Sequence, residues 1–207
     1  MKLRSRTSAA RQVYKLCSLL LFYPDQELLE ARDALAVAAG SELSRFCNWW
    51  SVEDPVALQQ HYVEVFDLQK RCSLYLTFYG QGDRRDRGVA LLRLKRMYRA
   101  AGLPLEGDEL PDYLPVMLEF AASAPGGRGE IVLREHRAAL ELLRGALEER
   151  GTPYADVVGT VCSKLGEPSA ADRARAVKLA ASGPPSELVG LEPFAPPEVM
   201  PVTETQP

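Results

Sequence analysis

The chain has 207 residues, enough for one sizeable domain, and 46% hydrophobic with 26% charged residues is the balance of a folded protein, not a disordered one. Its net charge of −3 gives no general attraction to nucleic acid or to an anionic membrane surface. Two histidines, and four cysteines (Cys17, Cys47, Cys72, Cys162) without a Cys-x-x-Cys pair, leave little material for a metal or redox centre.

Apolar residues recur with a period near 3.6 through the first 181 residues, and no stretch sustains the alternation of a strand. The pattern predicts an all-α fold, a single bundle-like domain of about eight to ten helices over 1–181. The first helix is expected over 8–22, with Val13, Leu16, Cys17 and Leu20 on one face and Pro24 as its stop. Its basic start and leucine-rich stretch are expected to form a core helix and not a secretion leader. Lys15 and Ser18 interrupt the apolar run, Pro24-Asp25-Gln26-Glu27 follows it, and it falls short of the roughly 20 residues of a membrane span. A cytoplasmic protein without direct membrane insertion is expected.

A second helix should run from Asp25 to a stop at Gly40, and a third from Ser41 through Phe46 and Trp50. Asp54-Pro55 reads as an N-cap with proline at the first helical position, opening a helix that carries Leu58, Tyr62, Val65 and Phe66 inward. An apolar stretch over 72–79 follows, broken by Gly80 and Gly82. Further helices are expected over 86–101 with Gly102 as cap, and over 111–122, with 103–110 and 125–129 as loops. The longest is expected over 130–150, striped by Leu133, Leu140, Leu143 and Leu147. Thr152-Pro153 opens another, and Ser169 caps a last one ending near 181. Residues 182–207 hold seven of the fifteen prolines, so a disordered Pro-rich tail is expected there.

Nothing along the chain assembles a catalytic centre. His61 and His136 lie outside metal-binding spacing, and the cysteines read as core residues among apolar neighbours. Gly80-Gln81-Gly82 lacks the third glycine of a dinucleotide loop, and Gly126-Gly127-Arg128-Gly129 lacks the Lys-Ser or Lys-Thr of a phosphate loop. No Gly-x-Ser-x-Gly elbow occurs. The expectation is a protein without catalytic residues, metal or cofactor. The basic run from Arg84 to Arg99 reads first as a solvated helix face, without the recognition-helix context that nucleic acid would need. Tyr62, Phe66, Tyr75, Phe78 and Tyr79, interleaved with Glu64, Asp67 and Arg71, suit a groove with one wet side, because a buried tyrosine hydroxyl needs a partner. Such a groove can take an amphipathic peptide helix.

The segments Tyr62-Val63-Glu64-Val65-Phe66-Asp67-Leu68 and Arg71-Cys72-Ser73-Leu74-Tyr75-Leu76-Thr77 closely resemble the nitrate reductase molybdenum-cofactor assembly chaperones, also called the respiratory nitrate reductase delta subunit. The match continues through Gly82-Asp83, Arg87-Gly88, Ala90-Leu91-Leu92-Arg93, Lys95, Glu109-Leu110-Pro111-Asp112-Tyr113-Leu114-Pro115 and Leu118-Glu119-Phe120-Ala121. The resemblance implies an all-helical redox-enzyme maturation chaperone. Such a protein binds the apo alpha (molybdenum-binding catalytic) subunit of nitrate reductase, including its N-terminal segment. It holds that subunit open for cofactor insertion, delays membrane docking and is absent from the finished enzyme. A permanent structural subunit of a redox complex is the alternative. The family commonly has Asp-His before Leu-Pro, whereas this chain has Asp112-Tyr113, so no proton-linked role of that histidine transfers. Motif position and side-chain type make Tyr62, Glu64, Phe66, Tyr75, Tyr79, Asp112, Tyr113 and Glu119 the candidate partner-peptide surface, with Glu64 and Asp112 expected to pair with basic residues of the partner.

Overall fold

The computed structural model describes residues 2–80 and 84–182. Gly82-Asp83 of the motif and, apart from Ser182, the expected tail lie outside them. The all-α expectation holds: eleven α-helices and no named strand occur among the described residues.

The helix α1 (Lys2–Leu20) buries Tyr14, Leu16, Cys17 and Leu20, and lies along α7 (Leu114–Ser123) with α10 (Tyr154–Leu165) on another side. It begins before residue 8 and ends two residues before the expected 22, leaving Phe22 and Tyr23 in the turn ahead of Pro24. Asp25 caps α2 (Gln26–Glu30) by accepting from the Leu28 N–H at 2.9 Å. The single helix expected up to Gly40 is two, because Ala31 (φ −84°, ψ 3°) leaves helical geometry before α3 (Arg32–Ala39). After α4 (Ser44–Val52), Asp54 accepts from the N–H groups of Val56 and Ala57 with Pro55 behind it, starting α5 (Pro55–Tyr62) as expected.

From α5 the chain widens into a π-helical turn, Val63–Asp67, closed by the Leu68 N–H on the Val63 carbonyl. The apolar stretch after it forms 3₁₀ turns, Lys70–Cys72 and Leu76–Tyr79. Between them Tyr75 pairs antiparallel with Tyr113 as an isolated bridge: Leu76 N–H donates to the Asp112 carbonyl at 3.0 Å and Leu114 N–H to the Leu74 carbonyl at 2.8 Å. That pairing holds Tyr113 extended (φ −66°, ψ 121°) after a turn at 111–112, so α7 starts at Leu114 and not at the expected 111. The intervening α6 (Arg84–Ala100) leads into the loop 103–110, which Tyr98 holds by donating its hydroxyl to the Pro111 carbonyl.

The expected longest helix, 130–150, is also two elements, α8 (Arg128–Glu135) and α9 (Arg137–Glu149). His136 (φ −101°, ψ 15°) breaks it, its N–H turning to Leu133 and its Nδ1 lying 2.9 Å from the Val132 carbonyl. Ser169 and Asp172 cap α11 (Ala170–Ser182) reciprocally, each side chain bonding the other's N–H. The core joins Tyr14, Cys17 and Leu20 of α1 to Met117 and Leu118 of α7, Leu140 and Leu143 of α9, and Val157, Val158 and Val161 of α10. Among the described residues no helix is long and apolar enough to cross a membrane.

A glycine sets the tightest approach. A Cβ on Gly129 of α8 would lie 2.2 Å from the Ala121 Cα of α7, whereas one on Gly145 of α9 would meet nothing within 4 Å. Gly129→Ala forces two backbones apart and should cost about 3 kcal/mol, lowering Tm by roughly 6–12 °C for a chain of this size. Gly145→Ala gains helix propensity of up to about 1 kcal/mol and should raise it. Thermal unfolding followed by circular dichroism distinguishes the two; equal shifts would show that α7 and α8 are not in backbone contact.

Candidate functional site

The sequence-predicted tyrosines fall into one cluster. Tyr62, 4% exposed at the end of α5, stacks at a tilt on Phe66 at 4.8 Å and edge-on against Tyr23 at 5.5 Å. Tyr113, half-buried, lies 5.1 Å from Tyr75 and 5.8 Å from Phe22. The two halves join through hydroxyls. Tyr62 donates to the Leu21 carbonyl at 3.0 Å, so its one proton is used and Tyr113 donates to the Tyr62 oxygen, also at 3.0 Å. Burial first, then the neighbouring Tyr113, pushes Tyr62 far above its ordinary value. Tyr113 is pushed up to about 12, chiefly by burial, with Tyr75, Glu109 and Asp67 adding to the shift. Phe22, Tyr23, Tyr75 and Tyr113 thus make a ledge of aromatic rings, partly wet, with the exposed Asp67 and Glu109 bearing on it and the exposed apolar Leu68 and Leu110 next to those acids in the chain.

The other predicted residues divide. Glu64 is exposed one turn from His61, and its charge acts on that ring. Tyr79 is half-buried and turned away, its one hydroxyl proton shared between the carbonyls of Arg71 and Ser73, each at 2.9 Å. Glu119 is exposed on α7, where it pairs with Lys15 of α1, apart from the rings. Asp112 has no exposure at all. Its Oδ2 accepts from the Thr77 hydroxyl and the Thr77 N–H and faces Arg87 at 3.7 Å, so its carboxylate is spent inside the fold and is not presented to a partner. Sequence reasoning missed Phe22 and Tyr23, whose signal is an aromatic pair directly before Pro24. It also left Asp67 and Glu109 out of the surface although both stand in the matching motif.

Neither histidine nor cysteine adds reactive chemistry here. His61 is half-buried between Trp49 and Tyr154, with Nε2 at 2.8 Å from Thr152 Oγ1. All four thiols are free and buried, and burial pushes Cys17 and Cys162 up to about 12, which keeps them protonated. No group of three or more His, Cys, Asp or Glu side chains that could hold a metal ion occurs among the described residues. An aromatic ledge with acidic neighbours can bind an apolar segment that carries positive charge.

A profile of the nitrate reductase delta subunit matches residues 29–158, more than half of the chain and all of the ledge except Phe22 and Tyr23. The chain belongs to the nitrate reductase delta subunit family. Relatives agree with that membership. It is 36% identical over 165 residues to the nitrate reductase molybdenum cofactor assembly chaperone NarJ of Bacillus subtilis, covering 75% of this chain and 89% of that one. It is 34% identical over 150 residues to the Escherichia coli chaperone NarJ, covering 68% and 64%. It is 36% identical over 154 residues to the nitrate reductase-like protein NarX of Mycobacterium tuberculosis, covering 72% of this chain but only 24% of that longer protein. A crystal structure from Archaeoglobus fulgidus, described as a redox enzyme maturation protein, superposes with a TM-score of 0.60 at 27% identity, over 76% of this chain and 94% of that one.

Two measurements probe the cluster of this delta-subunit family member. Tyr62→Phe strands a buried carbonyl and should cost about 1–3 kcal/mol, whereas Tyr113→Phe removes one hydrogen bond and should cost about 0.5–1.5 kcal/mol; urea unfolding of both gives the order, and the reverse order would break the assigned donor chain. Lost solvation pushes His61 below its ordinary 6.5. The unfolded chain therefore binds that proton more readily, and the stability contributed by the neutral ring is complete above about pH 6.5 and lost as pH falls below it. Between pH 7.5 and 5 the wild type should lose more unfolding free energy than His61→Gln. Parallel pH profiles would remove His61 from the acid response.

Proposed function

We propose that the chain is an assembly chaperone for a respiratory nitrate reductase. It binds the apo alpha (catalytic) subunit, including its N-terminal segment, keeps it open while the molybdenum cofactor is inserted, delays its docking at the membrane, and leaves the finished enzyme. The observation that carries this reading is the likeness to the Bacillus subtilis assembly chaperone over 89% of that protein's length. The ledge supplies the physical means. Phe22, Tyr23, Tyr75 and Tyr113 offer stacking area to apolar anchors, while Asp67 and Glu109 beside them draw in a segment with basic residues. Binding alone suffices, so no catalytic residue is assigned, and the site of action is the cytoplasm.

Ordering a peptide on the ledge costs about 2–5 kcal/mol of the gross interaction energy, which places a segment with a few anchors in the micromolar range. An affinity of that order permits release once cofactor insertion buries the same anchors inside the client. A second reading, a permanent part of a redox complex, draws on NarX, where the matching stretch belongs to a much longer chain.

Pull-down with the tagged protein, from cells able or unable to make the molybdenum cofactor, separates the two. The chaperone reading expects the apo subunit to be retained and the mature enzyme not; stoichiometric recovery with active enzyme would establish the permanent subunit instead. In calorimetric titration with the client's N-terminal peptide, Tyr75→Ala or the pair Asp67→Asn with Glu109→Gln should raise Kd about tenfold, the effect of losing about 1.4 kcal/mol. Glu119→Ala, whose partner is Lys15, should leave it unchanged. Unchanged Kd in the ledge variants, with Tm also unchanged, would move the binding site elsewhere.

A further inference from the structure

The ledge leaves a second concavity unexplained, a groove of about 940 Å³ between α6, α9 and α11. Its floor is apolar and dry, with Leu76, Leu94 and Ala139 at 1%, 3% and 5% exposure. Its walls are Val89 of α6 and Leu179 of α11, and Val89 stands 64% exposed. Its charged lining is three cations, Arg93, Arg175 and Lys178, against two acids, Asp86 and Glu135. Arg93, which bonds Glu135 across one end at 2.9 and 3.0 Å, is joined on the far wall by Arg175 and Lys178. Along its length α6 carries seven Lys or Arg residues against the single acid Asp86. An acidic occupant with apolar side chains complements such a groove, and a basic client segment does not.

The chain carries a segment of that chemistry a few residues in sequence beyond the groove wall. Leu179 lines the far wall three residues before α11 ends at Ser182, and the sequence then continues from Gly183 to Pro207. That stretch has four glutamates (Glu187, Glu192, Glu198, Glu204) and no lysine or arginine. Leu188, Val189, Leu191 and Phe194 fall between the first glutamates. Six residues of extended chain reach roughly 20 Å, which exceeds the roughly 10 Å width of a helix, so Leu188 can return over α11 to the groove.

We propose that the groove between α6, α9 and α11 is the docking site of the chain's own acidic segment, residues 187–200. Its leucines and phenylalanine cover Val89 and the Leu94 floor, and its glutamates face Arg175 and Lys178. Tethering makes the contact effective without high intrinsic affinity. A short linker gives an effective concentration on the order of 1 mM, so a segment with Kd on the order of 0.1 mM is bound about nine-tenths of the time. The proposal uses the groove and the segment alone and does not depend on the identity of the client.

The full-length protein tests it. Because the four native cysteines are buried, a nitroxide attached to Ala195→Cys labels one site. The expected result is selective loss of amide signal intensity at Val89, Ala90, Arg93 and Ala139, unchanged on tenfold dilution. Replacing Glu187, Glu192 and Glu198 by Gln and Leu188 and Leu191 by Ser should restore those intensities at unchanged Tm, since these positions lie outside the described helices. Arg175→Gln with Lys178→Gln should restore them from the other side. Intensities untouched in the groove, or reduced instead at Tyr75 and Tyr113, would overturn the proposal. So would a loss that fades on dilution, which would give the groove to the segment of a second copy.

Discussion

The ledge depends on a backbone clip of two hydrogen bonds. Leu76 N–H on the Asp112 carbonyl and Leu114 N–H on the Leu74 carbonyl set Tyr75 and Tyr113 opposite each other, across a loop that contains all of α6. A pair this short has little strength of its own, and the Asp112 carboxylate reinforces it by gripping Thr77 through hydroxyl and N–H. Burying a charge is costly unless its lone pairs are taken up; here Oδ2 is taken up by Thr77, the residue the clip must hold, while the buried Oδ1 has no hydrogen-bond partner. The arrangement also explains why an acid that reads from sequence as a surface contact is the least exposed member of the predicted surface. Leu76 and Thr77 in turn line the α6–α9–α11 groove, so one short segment forms part of both the ledge and the groove.

Legibility followed the range of the interactions. The starts at Asp25, Asp54-Pro55 and Ser169 were readable because an N-cap is decided within three or four residues, and each forms the expected side-chain bond. The breaks at Ala31 and His136 were not, for neither carries a proline or glycine and both are made by how the flanking helices pack. The stretch 72–79 was visible as apolar, but its 3₁₀ turns follow from pairing with residues nearly forty positions away, which no local window contains. The site divides the same way. Tyr62, Phe66, Tyr75 and Tyr113 were identifiable by residue type and motif, yet Phe22 and Tyr23 join them only because α1 ends beside α5. Glu119 has the right chemistry and the wrong address, since α7 turns it toward Lys15.

A net charge of −3 conceals a strong segregation. Asp67 and Glu109 belong to the ledge side, whereas α6 concentrates seven cations. Screening at physiological salt acts over about 8 Å, so each surface presents its own sign to whatever approaches, and the overall charge is a poor guide to either. Steering by local fields is how a weak binder gains selectivity without gaining affinity.

That segregation bears on how two peptide ligands could share one small domain. A segment free of cations, such as 187–200, is repelled by Asp67 and Glu109, and a basic client segment is repelled by α6 and by Arg175 and Lys178. Each apolar surface therefore discriminates through the charges at its border, because hydrophobic contact alone would accept either ligand. Under the two proposals the wrong occupant is penalised at each site, which would keep the ledge open to a client with a tethered competitor on the same chain.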